Sequence, residues 1–232
     1  MSGTDVEAVL FDLDGTICDY RRSNEEVLEL AFDTVGVDPY FTAEEYIETL
    51  DRLPVQHSSF DKHRESCFVE LSKRADRDPD LGRAVARVYA EERDQTNVSF
   101  CPAADRVLSV LGERYPLGLV TNGGPDIQLQ KLNALDILDR FETIVYAGFD
   151  TPAKPDPTPF EYALDAIGAS SARSVYIGNS LTADVTGARA AGLTSVWISD
   201  GTDPDPVPDI AVESLTDLLE FPWRNQHNAG DH

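Results

Sequence analysis

The strongest limit on the fold is a rhythm that sets in after residue 99. Short apolar runs at 117–121, 143–146, 174–177 and 194–198 read as strands. Between them, 103–114, 126–135, 159–167 and 183–191 carry apolar residues at helical spacing. Strands that alternate with helices imply a parallel sheet covered on both faces. Right-handed crossovers then bring the carboxyl ends of all the strands to one edge. The run 6–11 near the start reads as another buried strand of that sheet, and 212–219 as a closing helix.

Between these parts lies a different pattern. Residues 24–35 have helical spacing closed by Gly36, and Thr42 with Glu45 forms a capping box that opens a helix through Leu50. From 58 to 92 the spacing stays helical with a break at Asp78-Pro79, and no strand is expected between Cys18 and Ser99. The expected organisation is a doubly wound α/β core from 1–17 and 99–223, an all-helical insert at 18–98, and a frayed polar tail at 224–232. At 232 residues and 41% hydrophobic content, a core of this size is feasible.

Charge narrows the partners. Forty-two acidic residues face nineteen basic ones, for a net charge of −23, and only Lys62, Lys73, Lys131 and Lys154 are lysines. Such a surface repels nucleic-acid backbones and anionic membranes. Self-repulsion on this scale favours salt, which screens it, and the composition resembles that of proteins working in molar salt. No run reaches the ~20 apolar residues of a membrane span, and the N-terminus lacks a signal-peptide pattern, so the expected location is the cytoplasm. Cys18, Cys67 and Cys101 form no CxxC pair and read as reduced thiols. No protein partner is expected.

Ligands of open α/β sheets bind outside the carboxyl ends of the strands. The polar segments leaving those ends are Asp12-Leu13-Asp14-Gly15-Thr16, Thr121-Asn122-Gly123-Gly124 and Gly178-Asn179-Ser180-Leu181-Thr182-Ala183-Asp184. Lys154-Pro155 lies a few residues past its strand, within reach of the same edge. At a strand end, residues two apart point the same way, so Asp12 and Asp14 can face one group.

These four segments, in this order, resemble the four motifs of the haloacid dehalogenase superfamily over roughly residues 6–199, and the insert resembles that family's helical cap. The Thr-Asn-Gly-Gly loop, the 128–132 stretch and the segment around Lys154 are similar to its small-molecule phosphatases. The resemblance implies a magnesium-dependent hydrolase of small phosphorylated metabolites. Asp12 would be the nucleophile, forming an aspartyl-phosphate, and Asp14 the acid and then the base. Thr121, with Asn122 beside it, and Lys154 would bind the phosphoryl group. Magnesium would be held by Asp12, the Asp14 carbonyl, Asn179 and Asp184.

Asn179 departs from the family pattern, which has aspartate there. A tuned or weakened metal site and a catalytically dead phosphate-binding domain both remain open. A 2-haloacid dehalogenase is the other enzyme reading, but such enzymes typically lack the acid that is present here as Asp14. In the insert, Arg21, Arg22, His57, His63 and Arg64 are polar pocket candidates, each more commonly a solvated face or a salt link. Tyr20, Phe60, Phe68 and Tyr89 are expected in the insert's own core.

Overall fold

The computed structural model describes residues 6–53 and 60–224, so His57 and the tail after Arg224 lie outside the described residues. The elements run in chain order as β1 (Ala8–Phe11), β2 (Cys18–Tyr20), α1 (Asn24–Val35), α2 (Ala43–Arg52), α3 (Phe60–Arg74), α4 (Pro79–Glu92) and β3 (Val98–Phe100). There follow α5 (Ala104–Gly112), β4 (Leu117–Thr121), α6 (Pro125–Ala134), β5 (Thr143–Tyr146), α7 (Thr158–Ile167), β6 (Ser174–Gly178), α8 (Thr186–Ala190), β7 (Thr194–Ile198) and β8 (Ile210–Val212).

Six strands form one sheet in the order β5-β4-β1-β6-β7-β8, and every described pairing in it is parallel. All four residues of β1 and all five of β4 and of β6 are buried, as continuous apolar runs require in a sheet covered on both faces. In register, Phe11 stands beside Leu119 on one side and Ile177 on the other. The residues that follow β1, β4 and β6 therefore leave the sheet at one edge.

The chain divides into two compact units. One runs through Asp19, resumes over Ser99–Gly123 and again from Leu135; the other joins Tyr20–Val98 with Gly124–Ala134. Helix α6, placed with the core from sequence, thus groups with the helices of the insert.

The helical unit has its own core. Serine 23 and Thr42 close both halves of their capping boxes with Glu26 and Glu45, and Gly36 ends α1 in the left-handed conformation. Phe32, Phe41, Tyr46, Phe68 and Tyr89 are buried and meet edge-to-face at ring-centre distances of 4.8–5.5 Å. Fully burying each such ring contributes about 1.5–3 kcal/mol, which gives these helices a driving force independent of the sheet.

Three expectations are corrected. Strands β2 and β3 occupy the borders of the insert and pair into a separate two-stranded sheet; at three residues each, they are too short to show an alternation. Residues 212–219 do not make one helix. Ile210-Ala211-Val212 is buried, exposed, buried, as in a strand, and pairs with β7. Only after Ser214, which caps through Asp217, does a 3-10 turn follow over Leu215–Glu220. The helix expected at 183–191 begins as a π-helical turn, Leu181–Val185, before α8.

Candidate active site

Asp12 is the first residue past β1, and its N–H donates to the Ile177 carbonyl at 2.9 Å, tying it to β6. The chain then turns tightly: the Leu13 carbonyl accepts from Ile17 and Cys18, and Gly15 N–H donates to the Cys18 carbonyl. Gly15 has φ +73°, and a Cβ there would lie 2.5 Å from Asn179 Nδ2. Glycine is required twice, by the left-handed backbone and by the close approach of Asn179. Thr16 Oγ1 donates to Asn179 Oδ1 at 3.2 Å, so the first and fourth motifs are joined directly.

Lys154 is the hub. Its Nζ lies 2.7 Å from Asp12 Oδ1, 2.7 Å from Asp184 Oδ1, 2.8 Å from Tyr176 Oη and 3.0 Å from the Val120 carbonyl. Its side chain is 2% exposed, against 9% for Asp12 and 2% for Asp184. Two carboxylates thus share one buried cation. The lysine backbone is fixed by Asn122, whose Oδ1 accepts from Lys154 N–H at 2.8 Å while Nδ2 donates to its carbonyl at 3.0 Å.

Asp184 is seated by the π-helical turn. Its Oδ2 accepts the Ser180 N–H at 2.9 Å, and Oδ1 takes Lys154 and, at 3.0 Å, the Tyr176 hydroxyl. A Cβ on Gly178 would overlap the Asp184 carboxyl, so strand β6 must end in glycine for this acid to fit. Trp197 Nε1 donates to the Asn179 carbonyl at 2.9 Å and holds the loop from the β7 side.

The Asp12 carboxyl is raised from 3.8 to about 7, chiefly by burial, which the Lys154 charge opposes and Asp184 and, least, Asp14 reinforce. Burial works against the Lys154 charge, yet Asp12 and Asp184 together hold it above its ordinary value. Burial, helped by the Asp184 and Asp12 charges, drives the Tyr176 phenol well above 10, so its proton stays in place.

Of the residues expected from sequence, Asp12, Lys154 and Asp184 converge in direct contact. Thr121 is buried at the end of β4, and Asp14 is half-buried beyond Asp12. Asn179 is exposed and aligned with Thr16 and Gly15, and Asn122 uses its amide on the Lys154 backbone. Sequence reasoning missed Tyr176 and Trp197, because an aromatic residue inside an apolar strand reads as packing; the hydroxyl and indole N–H, each needing a partner once buried, are the only signal.

Within the helical unit, Arg64 is buried and makes a salt link, one of its two expected readings, with Asp61 at 2.7 Å. It also donates to Tyr46 Oη at 3.3 Å. Arg22 pairs with Glu92 at 3.4 Å, Arg21 donates to the Val98 carbonyl, and buried His63 lies 3.4 Å from the Leu50 carbonyl. Phe68 and Tyr89 are core as expected, whereas Tyr20 lies under the Arg93 guanidinium, 4.2 Å from its ring centre.

The sequence model of a family described as haloacid dehalogenase-like hydrolase matches residues 9–198. A phosphoserine phosphatase of Thermus thermophilus is 33% identical over 160 residues, 67% of this chain but 64% of that protein, just under two thirds of its length. The human N-acylneuraminate-9-phosphatase is 30% identical over 234 residues, covering 92% of each chain. Among solved structures, a Bacillus subtilis HAD-hydrolase described as bound to magnesium superposes with a TM-score of 0.76 at 23% identity, covering 94% of this chain and 98% of that one. A 2-haloacid dehalogenase of Pseudomonas syringae superposes with a TM-score of 0.64 at 25% identity, covering 94% and 99%.

Proposed function

Because the chain belongs to the haloacid dehalogenase-like hydrolase family, we propose that it hydrolyses phosphate esters of small metabolites through Asp12. The observation that carries this reading is the buried Asp12–Lys154–Asp184 contact, with both N···O distances at 2.7 Å. It presents a carboxylate and a cation together at the carboxyl edge of the sheet. An Asp12 oxygen attacks phosphorus, the ester P–O bond breaks, and Asp14 gives its proton to the departing oxygen. Asp14 then takes a proton from water as that water attacks phosphorus, releasing inorganic phosphate and restoring Asp12. Lys154 offsets charge on the phosphoryl oxygens, and Thr121 donates a hydrogen bond from the next strand end.

The donors fit a hard divalent cation and not a soft one. The groups that would hold it are the Asp12 carboxylate, the Asp14 main-chain carbonyl, the Asn179 amide oxygen and Asp184, whose carboxylate is fixed by Lys154, Tyr176 and Ser180. Among the described residues no group of three or more His, Cys, Asp or Glu is placed to hold a metal. Magnesium suits so sparse a set, since it keeps several waters and uses one or two carboxylates with the substrate's phosphate. When bound, it would neutralise charge on the phosphoryl oxygens. Asn179, being neutral, makes that attraction weaker than aspartate would.

The relatives named as phosphatases support the choice of phosphorus, and so does Asp14, an acid that attack on a carbon–halogen bond would not require. The test is phosphate release from a panel of esters in molar potassium chloride, with and without magnesium, beside Asp12→Ala. Magnesium-dependent release lost in the variant is expected. Release that survives Asp12→Ala sinks the nucleophile, and release of chloride from chloroacetate instead would favour the dehalogenase.

A further inference from the structure

We propose that Tyr176 is a positioning residue that stores a spare hydrogen-bond donor for the phosphoryl group; this rests on the phosphatase reading above. The argument is a count of protons. Lys154 Nζ brings three N–H groups and Tyr176 one O–H, four donors in all. The acceptors that must be served are Asp12 Oδ1, Asp184 Oδ1 and the Val120 carbonyl, each within 3.0 Å of Nζ. Tyr176 Oη lies 2.9 Å from that carbonyl, 3.0 Å from Asp184 Oδ1 and 2.8 Å from Nζ.

Without ligand the site therefore holds one donor more than its buried acceptors need. Several proton arrangements serve all three acceptors, and two of them illustrate the surplus. In one, Lys154 serves Asp12, Asp184 and the phenol oxygen while Tyr176 serves Val120. In the other, Lys154 serves Asp12, Asp184 and Val120 while Tyr176 doubles on Asp184. Either way the surplus rests on or comes from the phenol.

A phosphoryl oxygen arriving at Lys154 is the fourth obligatory acceptor. Tyr176 then serves Val120, Lys154 turns its third N–H from the phenol to the incoming oxygen, and nothing buried is left bare. Phenylalanine at 176 changes this only in the loaded site. Empty, three N–H groups still match three acceptors; loaded, three face four. A buried acceptor without a partner is costly, and the cost appears only with phosphate present.

The test compares wild type, Tyr176→Phe and, as a control, Tyr162→Phe, whose side chain is largely exposed. Melting temperature is measured with and without inorganic phosphate, and p-nitrophenyl phosphate hydrolysis is resolved into kcat and KM. The expected result is an unchanged melting temperature for free Tyr176→Phe. Its phosphate-induced stabilisation is lost, and kcat/KM falls roughly ten- to a hundredfold, mostly through KM. A lowered melting temperature of the free variant with phosphate affinity intact makes Tyr176 a structural residue and overturns the proposal. Equal kinetics in a hydrolysing wild type also overturn it, with the phosphatase reading left standing. Tyr176-dependent phosphate binding in a wild type that hydrolyses no ester does the reverse. A folded wild type that neither binds phosphate nor hydrolyses any ester overturns both.

Discussion

Asn122 grips the backbone of Lys154 from both sides, accepting its N–H at 2.8 Å and donating to its carbonyl at 3.0 Å. An asparagine expected to touch substrate is thereby spent on placing the lysine. Replacing it with alanine frees both backbone groups and lets Nζ drift from Asp12. Turnover should fall about tenfold or more at saturating ester, since small misplacements at a reacting centre are expensive. A change confined to KM would instead make Asn122 a substrate contact.

Lys154→Met leaves two buried carboxylates facing each other with no cation between them. Breaking a buried pair from one side costs about 3–5 kcal/mol, so a clear drop in melting temperature is expected at pH 7.5. Adding Asp184→Asn should recover part of it without restoring activity. Independent, additive losses in the double variant would argue that the two sites do not share the lysine.

Asn179→Asp puts a charged oxygen beside Thr16 and Gly15 while the main-chain carbonyl stays fixed by Trp197. The magnesium concentration for half-maximal hydrolysis should fall several-fold, and tryptophan fluorescence gives a second readout of binding. Unchanged or lowered activity would count against a merely weakened metal site.

Alkali should loosen the helical unit. Burial pushes the Cys67 thiol from 9.0 to about 12, and it raises Tyr46 and Tyr89 as well. Above pH 9 the unfolded chain releases the thiol proton while the folded one keeps it. The unfolded state then binds fewer protons, and stability falls as pH rises from about 9 to 12. Melting curves between pH 8 and 11 followed by helical circular dichroism check this; a flat profile would contradict the burial of these groups.

A net charge of −23 repels itself over a Debye length of ~10 Å at 0.1 M salt, shrinking to ~3 Å at 1 M. The melting temperature should climb steadily between 0.1 and 2 M potassium chloride. Full stability in dilute buffer would remove the case for a salt-adapted protein.

The parallel sheet was legible because its strands are continuous apolar runs, and three of them, β4, β5 and β7, lie at the positions read from sequence. So was the convergence of Asp12, Lys154 and Asp184, since topology alone sends the strand ends to one edge. The short strands β2, β3 and β8 were not, because three residues carry too little periodicity to outvote a neighbouring helix pattern. Tyr176 was hidden for another reason. Its ring belongs to the core that the pattern detects, packing 4.7 Å from Phe160 between ring centres, while its function resides in one oxygen atom.

Strand β1 is encoded at Ala8–Phe11, but its two neighbours are Leu117–Thr121 and Ser174–Gly178. A ribosome therefore releases the Asp12 carboxylate more than a hundred residues before either flank of its strand exists. The helices of Tyr20–Val98 emerge in the interval with a core of their own. Throughout that interval β1 is an unpaired apolar edge, a surface that newly made chains must keep from one another. Truncation between β3 and β4 would yield a nascent protein with a folded helical part and a sticky, chemically inert stub, a burden on the cell's chaperones and not a partial enzyme.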